Sequence, residues 1–315
     1  MRTAWLIVLL ALVFGGCARP LTGPKVPVGA AVDPRGVVIV DGGGGGTVEW
    51  SRLVEACRGA EVVVIGENHG HAVGLAFASA LWEDVLAGSP SGALALEFFE
   101  RDEQSRVDEY LAGVVDEAAF RKRTQRTGSN YPEGHRAMVE AAKGAGRPVI
   151  AANAPRPLVR LARLEGYERL NGLTPELRRL VRVPDRMPEG RYRDDFVRLL
   201  EGGMSGEALK AGGDVSAEAV ERAGPMLRAQ TLWDWTMAES VVRGVEAGSA
   251  PVVLVVGRFH SDSGGGLVQA VEAMRAGTRV VVVSVVDAEA RELREEDRGR
   301  GAFVVYVGGN EKPSR

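Results

Sequence analysis

Two short stretches constrain this chain more than any other part of it. Val62 to Ile65 is a run of apolar, mostly β-branched residues that passes straight into Gly66-Glu67-Asn68-His69, and Pro251 to Val256 passes in the same way into Gly257-Arg258-Phe259-His260. Short continuous apolar runs of this composition suit strands covered on both faces. Each such strand ends in a G-x-x-H unit, which puts polar groups at its carboxyl end. In an open α/β sheet ligands sit there, because the crevice between strand ends and the following helices is concave and partly dry. A third run, Ala93 to Leu96, stops at Glu97-Phe98-Phe99-Glu100, so a carboxylate again follows a buried strand.

The rest of the chain supplies helices between these strands. Val37 to Val40 reads as a first strand, and Thr47 to Arg58 as a helix with Trp50, Leu53, Val54 and Cys57 on one face. Further helices are expected over Ala72 to Leu86, Glu103 to Leu111, Glu117 to Thr124 and Pro132 to Lys143, then a strand over Pro148 to Ala152. Residues 158–224 hold amphipathic pieces broken by Pro175, Pro184 and Pro188, and read as a helical insertion. Helical periodicity resumes at Met226 and runs through Leu232, Trp235, Met237 and Val241. A helix over Leu267 to Met274 and a strand over Arg279 to Val286 follow, with Ala302 to Val307 as a last strand at an edge. Strands alternating with helices imply parallel pairing. The expected fold is α/β, a mostly parallel sheet with helices on both faces and a helical insertion, all within residues 35–308.

A chain of 315 residues that is 45% hydrophobic can bury a large core, and a net charge of -3 offers no electrostatic footprint for nucleic acid. Two cysteines make no disulfide framework, and each has its own explanation. Cys57 lies on an apolar helix face. Cys17 closes an amino-terminal segment with Arg2 as a positive start, an apolar stretch from Trp5 to Phe14, and Gly15-Gly16 before the cysteine. That ending resembles a bacterial lipoprotein signal, with Phe14 where leucine is usual. Residues 1–17 then form the signal and Cys17 carries the lipid; a simple secretory signal or an uncleaved anchor is the alternative. Residues 18–34, with Pro20, Pro24, Pro27 and Pro34, read as an extended tether, and residues 309–315 as a loose tail.

The groups able to carry chemistry are Glu67, His69, His71, Glu97, Arg258 and His260. Parallel strands deliver their carboxyl ends to one side of a sheet, so two carboxylates and two imidazoles are expected in one place. Glu67, His69, Glu97 and His260 could hold a divalent metal with a position open for water or substrate. Without metal, a histidine could take a proton from water while a carboxylate orients its ring and Arg258 meets developing negative charge. An imidazole could also meet haem iron. Each residue has a plainer reading: Glu67 and His69 could simply cap the following helix. His135 is expected to be exposed on its helix, and Trp233 and Trp235 to be core residues flanking Asp234.

Five segments together resemble a known family. Gly66-Glu67-Asn68-His69, Leu96-Glu97-Phe98-Phe99-Glu100-Arg101-Asp102-x-Gln104, Asn153-Ala154-Pro155-Arg156, Gln230-x3-Asp234-x2-Met237-Ala238 and Gly257-x2-His260 are similar in order and spacing to the ChaN-like haem-binding lipoproteins. That family looks akin to the TraB/TIKI metalloproteases and the erythromycin esterases. The resemblance implies haem or iron acquisition at the bacterial outer membrane, with haem held partly through tyrosine at a homodimer interface. It carries Glu67, His69, Glu97 and His260 onto the family's polar pocket. It makes Tyr131, before Pro132, the candidate haem tyrosine. Where the family commonly has a further histidine pair, this chain reads Ala72-Val73-Gly74-Leu75, leaving His71 as a misplaced substitute. Three readings follow: an exported lipoprotein binding haem or a metal ion, a hydrolase in which Glu67 and His69 activate water, and a scaffold that retains only the fold.

Overall fold

The computed structural model describes residues 33–202 and 215–309. Cys17, the tether up to residue 32 and the tail from residue 310 lie outside the described residues. The strands are β1 (Val38–Asp41), β2 (Val62–Glu67), β3 (Ala93–Glu100), β4 (Val149–Asn153), β5 (Val252–Gly257), β6 (Val280–Val286) and β7 (Phe303–Tyr306). They form one sheet in the order β1-β7-β6-β2-β5-β3-β4, parallel throughout except for β1 against β7. The α/β reading therefore holds. Ala302 to Val307 does not give an edge strand, because β1 returns antiparallel along it. All of Phe303–Tyr306 is buried, as a strand with neighbours on both sides requires.

Side-chain parity on the strands decides which helices cover which face. Val63, Ile65, Leu94, Leu96, Val253 and Val255 point to the face covered by α1 (Trp50–Gly59), α2 (Ala72–Ala87), α3 (Gln104–Leu111), α4 (Glu117–Arg123) and α5 (Glu133–Gly144). Val62, Val64, Ala93, Ala95, Val252 and Leu254 point the other way. Each buried valine or leucine contributes about 1.5–3 kcal/mol, so shifting a strand by one residue would turn its whole set to the wrong layer.

Among the described residues, the segment after β4 holds four helical pieces: α6 (Arg156–Glu165), α7 (Glu168–Asn171), α8 (Pro175–Arg178) and α9 (Gly190–Glu201). α6, α7 and α9 pack on α10 (Ala217–Glu246), which with α11 (Gly266–Met274) covers the second face of the sheet. α10 begins at Ala217, well before the expected Met226. Pro225 inside it has no N–H to give to the preceding turn. Here the helix runs through it, started by Ser216, whose hydroxyl accepts the Ala219 N–H at 3.2 Å.

Candidate functional site

β2, β5 and β3 are neighbours, so the polar residues at their carboxyl ends must meet. The chain moves one way from β2, across to β3 and β4, and the opposite way from β5, across to β6 and β7. Their shared end is the switch point of the sheet. Two hydrogen-bonded arms converge on it, one from each covered face.

The first arm is His135–Glu67–His69. Glu67 follows Val63 and Ile65 in parity and so faces α5, where His135 waits. Glu67 Oε1 lies 3.0 Å from His69 Nδ1, and Glu67 Oε2 lies 3.0 Å from His135 Nε2. Phe98 packs tilted against His135 at 4.0 Å and edge-on to His69 at 5.3 Å. His135 Nδ1 is buried without a partner, which fits a bare lone pair better than an unpaired N–H. Burial would raise the Glu67 carboxyl, but the bonds from His135 and His69 outweigh it and take it down to about 2. Burial would lower the His69 ring, yet its bond to Glu67 and the charge of Glu97 raise it to about 9. The side chain of His69 is 48% exposed, so the arm ends at solvent.

The second arm is Tyr192–Asp234–His260. His260 ends the tight turn Arg258–His260 after β5, and its Nδ1 lies 2.6 Å from Asp234 Oδ1 on α10. Tyr192 of α9 donates to Asp234 Oδ2 at 2.6 Å, and Gln230 Nε2 lies 3.1 Å from both the Tyr192 hydroxyl and His260 Nδ1. Burial holds the Asp234 carboxyl above the usual range even beside His260. Burial opposes a proton on His260, and the charge and bond of Asp234 overcome it and raise that ring.

Glu97 stands between the arms. Its Oε2 accepts the Gly257 N–H at 2.6 Å and lies 3.9 Å from His69 Nε2, while its Oε1 lies 3.7 Å from His260 Nε2. Gly257 lets the two loops approach closely, since a Cβ there would lie 2.9 Å from His69 Nε2 and would have to displace that ring. Glycine in the second G-x-x-H unit thus makes room for histidine of the first. Arg258 is tied to the same loop by Asn68, Nε to Oδ1 at 2.6 Å, with Asp262 at 3.3 Å and Asp287 at 4.0 Å.

Three expectations need correction. His71 is a helix cap: its Nδ1 accepts the Gly74 N–H at 3.1 Å, so the proton is on Nε2, which meets Gly308 O at 3.1 Å. Both nitrogens are engaged and neither is free for a cofactor. Tyr131 is buried among Phe99 and Phe120 in the hydrophobic layer, its hydroxyl without a partner, and does not reach the rim. Finally, Glu67, His69, Glu97 and His260 do not assemble as one metal site. Both Glu67 oxygens are engaged by imidazoles behind His69, and among the described residues no group of three or more His, Cys, Asp or Glu could hold a metal ion.

His135, expected at the surface, is 0% exposed. A signal was available: His135, Met138, Val139 and Ala142 share one helical stripe, which is the buried face of α5. Gln230 and Asp234 are likewise one helical turn apart, which places them side by side. Tyr192 carries no local signal.

The profile described as "Haem-binding uptake, Tiki superfamily, ChaN" matches residues 53–271. No curated protein matches the sequence. Among solved structures, ChaN of Campylobacter jejuni, with cofacially bound haem, is similar at a TM-score of 0.64 and 15% identity, covering 87% of this chain and 97% of that one. At that identity the likeness shows the fold. An erythromycin esterase in its open conformation gives a TM-score of 0.45 at 14% identity, covering 82% of this chain and 79% of that one.

Proposed function

This chain belongs to the ChaN family of haem-binding uptake proteins in the Tiki superfamily, and from that premise we propose that it is an exported lipoprotein that binds haem at the β2–β5–β3 rim. The observation that carries the reading is His69, an imidazole fixed by Glu67 through Nδ1 at 3.0 Å with its other nitrogen at the solvent side. Imidazoles that bind iron are usually held in this way, the carboxylate setting the ring's orientation and basicity. Bound haem would supply the iron and the porphyrin's two carboxylates. Ligation needs the neutral ring, so binding displaces the Nε2 proton and strengthens as pH rises towards about 9. Arg258, on the same rim, is the cation for the ligand's carboxylates.

Titration of the purified protein with haemin, followed by the Soret band, tests this reading. A normal titration in His69→Ala would remove it. Arg258→Gln should weaken haemin and leave the haem dimethyl ester unchanged. The lipid anchor is read from sequence alone and is placed at Cys17. Labelled fatty acid should enter the wild type and not Cys17→Ser, with the protein in the outer membrane fraction. We further assign it a homodimer, checked by sedimentation with and without haemin.

One observation favours a second reading, hydrolysis. Glu97 sits between two Nε2 atoms at 3.9 and 3.7 Å, each ring oriented by its own carboxylate, an arrangement able to activate water. Turnover of chromogenic esters that Glu97→Gln abolishes would support it.

A further inference from the structure

The helical insertion reaches the site through one side chain. α9 carries Tyr192, wholly buried, to Asp234 Oδ2 at 2.6 Å. Its ring and that of Phe196 pack on Phe259 at 5.4 and 5.8 Å, and Phe259 lies in the turn just before His260. Gly266 leaves the space for this, since a Cβ there would lie 2.2 Å from Asp234 Oδ2 and 2.7 Å from Tyr192 Cε1.

A hydroxyl has one proton to give. Here it goes to the carboxylate, and the phenolic oxygen then accepts from Gln230 Nε2 at 3.1 Å. The same amide nitrogen is 3.1 Å from His260 Nδ1, and that ring nitrogen is 2.6 Å from Asp234 Oδ1. The two neighbours of Nδ1 make opposite demands. Asp234 as a carboxylate needs a proton on Nδ1, whereas the Gln230 amide needs a lone pair there. Tyr192 decides between them, because its hydroxyl supports the ionised carboxylate and also engages the amide.

The geometry points to Tyr192 as a positioning residue that keeps the proton shared by Asp234 and His260 on Nδ1. Removing the hydroxyl withdraws a donor from a buried carboxylate and frees the amide beside Nδ1. The proton then passes from Nδ1 to Asp234 Oδ1, with no other atom gained or lost. With Nε2 carrying its own proton, that transfer turns the ring that faces Glu97 from a charged to a neutral one. This role of Tyr192 is independent of the ligand that the rim takes.

Long-range nitrogen correlation spectra of the full protein labelled with 15N-histidine test it, and with four histidines in the chain the signals are assignable by substitution. His260 Nδ1 should be protonated in the native protein and unprotonated in Tyr192→Phe, with the His69, His71 and His135 signals unmoved. An Nδ1 that is protonated in both, or in neither, overturns the proposal. Phe196→Leu loosens the packing on Phe259 but keeps the hydroxyl, so Nδ1 should stay protonated; loss of the proton there would reduce Tyr192 to packing and overturn it too. Should Tyr192→Phe fail to fold, Gln230→Leu serves. It removes the competing amide and leaves the phenol on Asp234, so the Nδ1 proton must remain, and its loss again overturns the proposal.

Discussion

The two arms that meet at Glu97 have the same plan and opposite character. In the first, a carboxylate sits between two imidazoles and is driven down to about 2, and the arm ends in a half-exposed ring. In the second, a carboxylate sits among an imidazole, a phenol and a nearby amide, is held above its usual range, and ends in a buried ring. The difference follows from the partners. Two basic rings stabilise an ionised carboxylate strongly enough to offset its desolvation, while one ring and one neutral hydroxyl do not. The first arm is therefore suited to hold a ligand at solvent, and the second to adjust its polar surroundings.

Haem binding is the harshest test of that division. His69→Ala should abolish the Soret band, whereas His260→Ala should weaken binding by about 10–100-fold, the usual effect of losing a supporting group near a metal. Equal losses would erase the distinction. Stability should divide the same way. Glu67→Gln keeps one acceptor and turns an amide N–H2 towards one of its two ring partners, buried His135 or half-exposed His69, and should cost about 3–5 kcal/mol in urea unfolding, the range for breaking a buried charged pair. Asp234→Asn keeps an acceptor and a similar shape, and should cost about 1–3 kcal/mol.

The arms also differ in how much of each could be read from the sequence. Glu67, His69, Glu97 and His260 all lie at the ends of apolar strand runs, so strand composition alone puts them on one rim, and the order β2-β5-β3 makes the three ends that carry them adjacent. Their supports come from helices distant in the chain. His135 was recoverable from its stripe with Met138, Val139 and Ala142, but a histidine at a charged helix start reads as exposed unless its partner on the strand is known. Tyr192 was not recoverable. Its role depends on how α9 lies on α10, and that docking is set by tertiary packing of Val197 against Ala219 and Ala223. The edge assignment of β7 failed for a related reason, since β1 reaches it from the far end of the chain.

A smaller effect concerns pH. Glu67 is depressed from 4.5 to about 2, so the stability it gives is present above 4.5 and is lost as pH falls towards 2. His69 is raised from 6.5 to about 9, so its share is present below 6.5 and is lost as pH rises through 9. The melting temperature advantage of the wild type over Glu67→Gln should therefore be greatest between pH 4.5 and 6.5 and shrink on either side. Asp234 is shifted the other way, and acid costs it nothing in this range. The gap between wild type and Asp234→Asn should show no matching loss on the acid side, and a parallel loss would mean that the two carboxylates are alike after all.

The smallest expected effect lies behind the rim, at Tyr131. Its ring packs against Phe99 and Phe120, and its hydroxyl is buried with nothing to bond. A buried polar group without a partner has already lost its water, so taking it away removes a penalty and leaves the packing intact. Tyr131→Phe should therefore leave haemin titration unchanged and alter stability by no more than about 1 kcal/mol, in the stabilising direction. If the Soret band instead weakens, Tyr131 must leave the hydrophobic layer when haem binds. The first arm would then move with it, because Phe99 adjoins the Phe98 ring that packs on both His69 and His135.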